Sequence, residues 1–508
     1  MTDRPQPQDE DLDLATAHAP TKVARAGLVS FAGSVAGAAL GFALTFILAR
    51  GFGSAGAGIV LQAIAVFTIG LSVGRGGLDT GAIWMVPRLR MSSRDELGGV
   101  IRHLLVTSLL GGVVAGLLTL LVVRLFLDHS VFEAVAASAW AMPLASVTLV
   151  GTAALRGLSG VRSYIVIVQM VIPALRIVLI VCVAALGFGA AAAGFGWALA
   201  YVVGAALTVV LLIRTLARVG SAGLGGSSRR ETRQKLHAYS VGRLAGSILE
   251  QGLLWLDVLL VGMIVGTAAA GVYGTAARFV AAVLVVDSAM RFVTAPIFSG
   301  LIFSGNRTEA QQLYSRSTVW LVLLGVPICL GLAVYSPLVL SWLGPDFVSG
   351  QRAMQILCIG TGLTLAAGNI QTMLLMAGRS GQAALNKFLV LATNVGLNLW
   401  LVPIWGIEAA AAAWVVSMVL DAGLATWQVH RSVGVRPAPV VVAYALVVTM
   451  LTVGVPALLC RLWLGATPAS MALAAFAGAI LLAAWVYLDR ARLHMAELLD
   501  PLRARLAR

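Results

Sequence analysis

Runs of about 20 apolar residues recur along almost the whole chain, separated by short loops rich in arginine. Such runs constrain the fold more than any other feature. In hydrocarbon every backbone N–H and C=O must be satisfied within the protein, so only helices and closed barrels cross a bilayer. Runs of this length are helical, because a barrel strand needs only about 9–11 residues and alternates in polarity. Composition agrees: 59% of the 508 residues are hydrophobic and 11% charged, against roughly 45–50% and 25% in soluble chains. A soluble fold is excluded. The expectation is an all-α integral membrane protein with about fourteen transmembrane helices. Residues 1–25 form a polar, acidic tail read as disordered. Spans one to six occupy 26–213, a basic loop 214–238, spans seven to twelve 239–428, spans thirteen and fourteen 437–488, and a basic tail 489–508.

The basic residues orient the chain. Lys and Arg number 35 against 21 Asp and Glu, a net charge of +14. An even span count puts both termini on one side. If that side is the cytoplasm, the outward loops hold only Arg50, Arg124, Arg352 and Arg461, and the inward segments hold about 29 of the bases. Both termini are therefore expected in the cytoplasm. The basic loops need no nucleic acid to explain them, although they also suit anionic lipid or a pyrophosphate before entry.

Other classes fall away by inspection. The three lysines, Lys22, Lys235 and Lys387, are not followed by Ser or Thr, so no phosphate-binding loop of the ATPase type is present. No His precedes a Glu, which removes the zinc-protease helix, and no His lies mid-span to relay protons. Cys182, Cys329, Cys358 and Cys460 are far apart in or beside apolar runs and read as small hydrophobes. No cofactor or metal is expected. The first apolar run has no cleavage pattern and reads as a retained span. No outward loop is long enough for the catalytic acids of a membrane glycosyltransferase or polymerase, so an enzyme is disfavoured.

The chain also repeats itself. Phe52 to Val60 after span one matches Val265 to Tyr273 after span seven. Gly189 and Trp197 parallel Gly406 and Trp414, and the Gly160 segment parallels that of Gly381. Six spans per repeat is an even number, so the halves are parallel repeats related by a pseudo-two-fold along the membrane normal. Two six-helix lobes plus two extra C-terminal helices follow. Transporters of such a plan bind substrate between lobes near the midplane. Gly33, Gly37 and Gly41 in span one read as close helix packing or a smooth wall for an acyl chain.

Three stretches carry a family likeness: Leu44 to Gly58, Trp255 to Gly262 followed by Ala270 to Arg278, and Asn394 to Ala412 with Asn398, Pro403 and Gly406. On these the chain resembles the multidrug/oligosaccharidyl-lipid/polysaccharide exporter superfamily, in its polysaccharide (O-antigen-type repeat unit) flippase branch. The resemblance implies twelve or fourteen spans around a central cavity. It also implies translocation of an undecaprenyl-diphosphate-linked oligosaccharide across a bacterial plasma membrane. Its partners would be that polyprenyl-diphosphate glycan, membrane lipids and the glycan polymerase or glycosyltransferases of the same process. Span one lacks the acid common in the drug antiporters, and the first two spans lack cavity arginines of the lipid II flippase kind. Ala409 replaces the family's usual glycine. A cation-coupled small-molecule antiporter and a lipid II flippase remain the alternatives.

Charges inside the spans supply the candidate site. A charge at a helix centre costs about 2.5–3.5 kcal/mol on insertion scales, so such residues face protein or water. Arg243, Glu250 and Asp257 recur every seven residues and share a helix face. Folding spans seven and eight about Gly266 to Gly271 places Asp257 and Arg278 at similar depth, the expected ion pair. Asp287 and Arg291 are i, i+4 and also expected to pair. The set is either a ladder holding the lobe together or a site. In the second reading Arg278 and Arg291 present positive charge, while Glu250, Asp257 or Asp287 couples transport to a H+ or Na+ gradient. Arg176, three residues after Pro173 in span five, is the expected first-lobe cation for the diphosphate, since a guanidinium forks onto phosphate oxygens. Asn394 and Asn398 are i, i+4 in span eleven and suit sugar hydroxyls or a neighbouring helix.

Overall fold

The structure is a computed structural model. It describes residues 8–220, 223–436 and 439–489, with the backbone alone for 8–31 and 292. Every regular element among the described residues is helical. The first lobe runs α1 (Gln8–Arg75), α2 (Leu78–Ser92), α3 (Arg94–Phe126), α4 (His129–Ala139), α5 (Met142–Ser159), α6 (Arg162–Tyr164), a π-helical stretch over Ile165–Val171, α7 (Ile172–Ala185) and α8 (Ala190–Arg218). The second runs α9 (Arg230–Ile264), α10 (Thr267–Phe303), α11 (Arg307–Val334), α12 (Ser336–Ser341), α13 (Gln351–Ala366), α14 (Ile370–Met376), α15 (Ser380–Trp405) and α16 (Ile407–Val433). The chain continues through α17 (Pro439–Thr449), a second π-helical stretch over Met450–Gly454, α18 (Val455–Leu464) and α19 (Pro468–Leu488).

By length and apolarity eleven helices among the described residues can cross a membrane. The number is thirteen when the bent pairs α4/α5 and Pro345–Ala366/α14 each count as one span. Fourteen were expected from the sequence. The difference lies in α1, where Ala32–Arg75 is a single 44-residue stretch. At 1.5 Å per residue it would reach about 66 Å, twice the roughly 30 Å of hydrocarbon. It is not straight: Gly53 has φ 66°, ψ −174°, a break that interrupts the helix. Only a residue without Cβ takes that backbone at low cost. The interior is apolar and so is the membrane-facing surface, where α3 exposes Leu110, Val114, Leu117 and Leu121. Such a surface is stable only in lipid.

The matched segments of the repeat meet face to face. A Cβ on Gly58 would strike the carbonyl oxygen of Thr267, and a Cβ on Gly271 would strike the carbonyl oxygen of Ser54. Each glycine thus packs on the backbone four residues before its counterpart, and α1 and α10 touch backbone to backbone. Ser54 also donates to Asp346 Oδ2 across the lobes at 3.1 Å.

At the opposite end, where most loop arginines lie (the basic side), the lobes are joined differently. The expected loop over 214–238 is shorter in the structure, because α8 extends to Arg218 and α9 begins at Arg230. The first turns of α9 dock on the first lobe. Arg229 Nε lies 3.1 Å from Glu96 Oε1, and Thr232 donates to Glu96 Oε2 at 2.9 Å. His103 and His237 bring their Nε2 atoms to 2.8 Å. Farther along, α9 packs on α10 and α15. One helix is therefore held by both lobes.

Candidate functional site

Between the lobes lies a cavity of about 480 Å³. The first lobe contributes Gly37, Gly41, Thr45 and Thr68 of α1, Arg176 of α7, and Trp197 and Tyr201 of α8. The second lobe contributes Trp255 of α9 and Arg278, Ala281 and Ala282 of α10. Helical rise fixes its depth. Arg278 lies 11 residues into α10 and Arg176 9 before the end of α7, so both sit about 14–17 Å below the end opposite the basic side, near the middle of a 30 Å core. Two arginines placed in separate spans by sequence thus enter one cavity, one from each lobe. No carboxylate lines it among the described residues.

Aromatic rings hold both guanidinium groups. Arg176 Cζ lies 3.8 Å from the Trp197 ring centroid and 4.8 Å from that of Tyr201. Its Nε donates to the Trp197 carbonyl at 3.3 Å, while Nη2 is buried and makes no hydrogen bond among the described residues. Trp197 and Tyr201 are i, i+4 on α8 and share a face, backed by Phe67, whose ring stacks on Tyr201 at 5.7 Å. The approach of α7 has a local cause. Pro173 lacks the N–H that would bond back to residue 169, and the turns before it are widened into the π-helical stretch. In the second lobe Arg278 Cζ lies 3.8 Å over the Trp255 ring. Cation–π contacts of this kind contribute about 0.5–2 kcal/mol each and leave the N–H edges free to donate.

Asp257 does not pair with Arg278, contrary to expectation. It is buried inside the second lobe, where Tyr273 donates to Oδ2 at 3.2 Å and Asn398 Nδ2 to Oδ1 at 3.1 Å. The depth argument held, but the direction differs. Asp257 follows Trp255 by two residues, about 200° around the helix, so one faces the cavity and the other faces α15. Asn394 and Asn398 are likewise buried in this network, away from the cavity, and Asn398 Nδ2 also reaches Asn394 O at 2.8 Å. Asn398 Oδ1 is buried with no hydrogen bond among the described residues.

The remaining candidates lie toward the basic side. Asp287 and Arg291 form the expected i, i+4 pair, at 2.5 Å. That pair engages Arg291 outside the cavity lining. Glu250 is exposed, as is Arg243. The seven-residue repeat therefore leads from two exposed residues to one buried acid.

Sequence reasoning missed two features. Lys387 Nζ and Asp421 Oδ2 form an ion pair at 2.7 Å between α15 and α16, beside a reciprocal amide pair of Asn386 and Gln428 at 2.8 Å in both directions. Each charge stood inside an expected span, which was the available signal. The second is the aromatic frame of Trp197, Tyr201 and Trp255, which carries the two arginines.

The fold and the paired lobes define a polytopic helical protein with membrane-length spans. Among solved structures the fold is similar to the lipid II flippase MurJ in an inward closed conformation, with TM-score 0.70 at 10% identity, covering 91% of this chain and 99% of that one. It is also similar to an inward-facing multidrug resistance MATE family transporter of the MOP superfamily, with TM-score 0.67 at 14% identity, covering 78% and 94%. At these identities the likeness is one of fold. A family model described as polysaccharide biosynthesis protein matches residues 47–348. The chain belongs to that family. A relative in Haloferax volcanii, the probable flippase AglR, is 25% identical over 187 residues, 36% of this chain and 39% of that protein. The match thus spans well under half of the curated relative.

Proposed function

We propose that this protein moves undecaprenyl-diphosphate-linked oligosaccharide from the inner to the outer leaflet of a bacterial plasma membrane by alternating access, with both termini in the cytoplasm. The observation that carries the reading is the pair of stacked arginines, one per lobe, in a cavity near the membrane middle that no carboxylate lines among the described residues. A diphosphate diester is negative on both phosphates, and two guanidinium groups offer each a fork of donors. The unpartnered Nη2 of Arg176 is a donor waiting for an acceptor. The contacts of Ser54, Gly58 and Gly271 close the cavity on the side away from the basic loops, so this form receives substrate from the basic, cytoplasmic side. The names of its flippase relatives agree with the direction of the reading. A cationic drug would meet two fixed positive charges, which opposes the antiporter alternative.

Coupling is assigned to Asp257. Its carboxylate and the free Oδ1 of Asn398 present oxygen ligands that suit a proton or Na+. The Asp287–Arg291 pair and Glu250 lie on the path from the basic side and serve as its charged lining. Counting α1 as two spans broken at Gly53 gives fourteen in all.

The test is deletion of the gene with mass spectrometry of lipid-linked oligosaccharides and surface glycan in parallel. Undecaprenyl-diphosphate oligosaccharide is expected to accumulate while surface glycan falls, and the accumulated species identifies the glycan. Accumulation of lipid II instead selects the lipid II reading. No accumulation with greater sensitivity to cationic dyes selects the antiporter. In complementation, Arg176→Ala and Arg278→Ala are each expected to lower export about 10–100-fold, the loss of a charge-assisted hydrogen bond of about 1.5–3 kcal/mol. Wild-type export from both variants would remove the diphosphate site.

A further inference from the structure

We propose that a second site, a groove on the membrane-facing surface of the second lobe, binds one anionic phospholipid of the leaflet on the basic side. The groove runs between α13, α16 and the start of α17 and has a volume of about 840 Å³. Its walls are apolar, with Leu363, Val419 and Trp427 half-exposed along it. Its floor includes Gly423, beyond which a Cβ would meet nothing within 4 Å. From Met418 to His430 it follows 12 residues of α16, about 18 Å, the depth of one leaflet.

Charge distinguishes one end. At the basic side the mouth carries His430 and Arg436, and Arg431 lies 4.4 Å over the Trp427 ring. No carboxylate lines the groove among the described residues. Arg436 is held in place by its backbone: Gln311 Nε2 donates to its carbonyl at 2.6 Å, and its N–H donates to Gln311 Oε1 at 2.7 Å. A cation held in this way loses less freedom on meeting a phosphate than one on a mobile loop. An apolar channel one leaflet deep with a cationic mouth complements an acyl chain below an anionic headgroup. No first-lobe residue lines the groove and none of its residues lines the central cavity. It is therefore distinct from the central cavity.

The experiment is native mass spectrometry of the full-length protein released from nanodiscs holding equal phosphatidylglycerol and phosphatidylcholine. The wild type is expected to retain one phosphatidylglycerol, favoured about tenfold or more. The double variant Arg431→Gln/Arg436→Gln is expected to lose that preference. Gly423→Leu, whose side chain points into open space, is expected to lose the bound lipid with every charge intact. Unchanged thermal unfolding in phosphatidylcholine alone confirms that both variants are folded. Equal retention of both lipids by the wild type overturns the proposal. Phosphatidylglycerol kept by folded Gly423→Leu also overturns it, since a diffuse charged surface then explains the binding. Displacement by undecaprenyl phosphate, but not by further phosphatidylglycerol, assigns the groove to the prenyl carrier and overturns it as well.

Discussion

At the scale of single residues, the site depends on how each charge is kept from the lipid. Arg176 and Arg278 are stacked on rings and keep their donors free, whereas Asp257 is enclosed by Tyr273 and Asn398. These arrangements predict different responses to substitution. Asp257→Asn keeps the shape: its amide oxygen can still accept from Asn398 Nδ2, and its new NH2 can donate to the Tyr273 hydroxyl. The fold is expected to survive within about 1 kcal/mol, with the dependence of flipping on an imposed H+ or Na+ gradient lost. Asp257→Ala removes the acceptor of the Tyr273 hydroxyl and of one Asn398 amide hydrogen in the interior, an expected cost of about 1–3 kcal/mol seen as a lower unfolding midpoint in detergent. Gradient-dependent flipping that persists in Asp257→Asn removes this residue from coupling.

At the scale of elements, α1 and α10 are shaped by what they touch. Gly58 and Gly271 face backbone carbonyl oxygens of the opposite helix, and backbone cannot swing aside as a side chain can. Gly58→Ala or Gly271→Ala is therefore expected to force the helices apart, lowering export strongly and exposing Ser54→Cys to a membrane-impermeant thiol reagent. Gly396, on α15 with nothing within 4 Å of its Cβ, is the control. Gly396→Ala is expected to leave export unchanged and to stabilise by about 0.5–1 kcal/mol through helix propensity. Export equal to wild type in both Gly58→Ala and Gly271→Ala would show that this contact is dispensable.

At the scale of the whole molecule, the lobes meet at two ends by different means. The Gly58–Gly271 backbone contact and the exposed Ser54–Asp346 hydrogen bond close one end, while α9 ties the lobes at the other through Glu96, Arg229 and the His103–His237 contact. Rocking about the α9 tie requires the Ser54 end to open. A disulfide between Ser54→Cys and Asp346→Cys, in a background lacking the four native cysteines, is expected to stop export and to release it on reduction. Export that continues while the disulfide is intact would rule out opening at this end.

Depth, but not direction, was legible in the sequence. Apolar run lengths and the 1.5 Å rise assign each intramembrane charge a level, and the structure brings Arg176 and Arg278 into one cavity. The internal repeat announced the facing segments around Gly58 and Gly271. The Asp287–Arg291 pair lies within one helix and was read directly. What the sequence alone did not decide is which way each side chain faces once helices pack. That rotation turned Asp257 from Arg278 toward Asn398, 141 residues away, and joined Lys387 to Asp421, 34 residues apart. It also set Trp197 and Trp255 under the two arginines. A helix determines its own axial spacing through local hydrogen bonds. Its azimuth is set by side-chain packing against neighbours distant in the chain, so the cavity and its partners are properties of the tertiary structure.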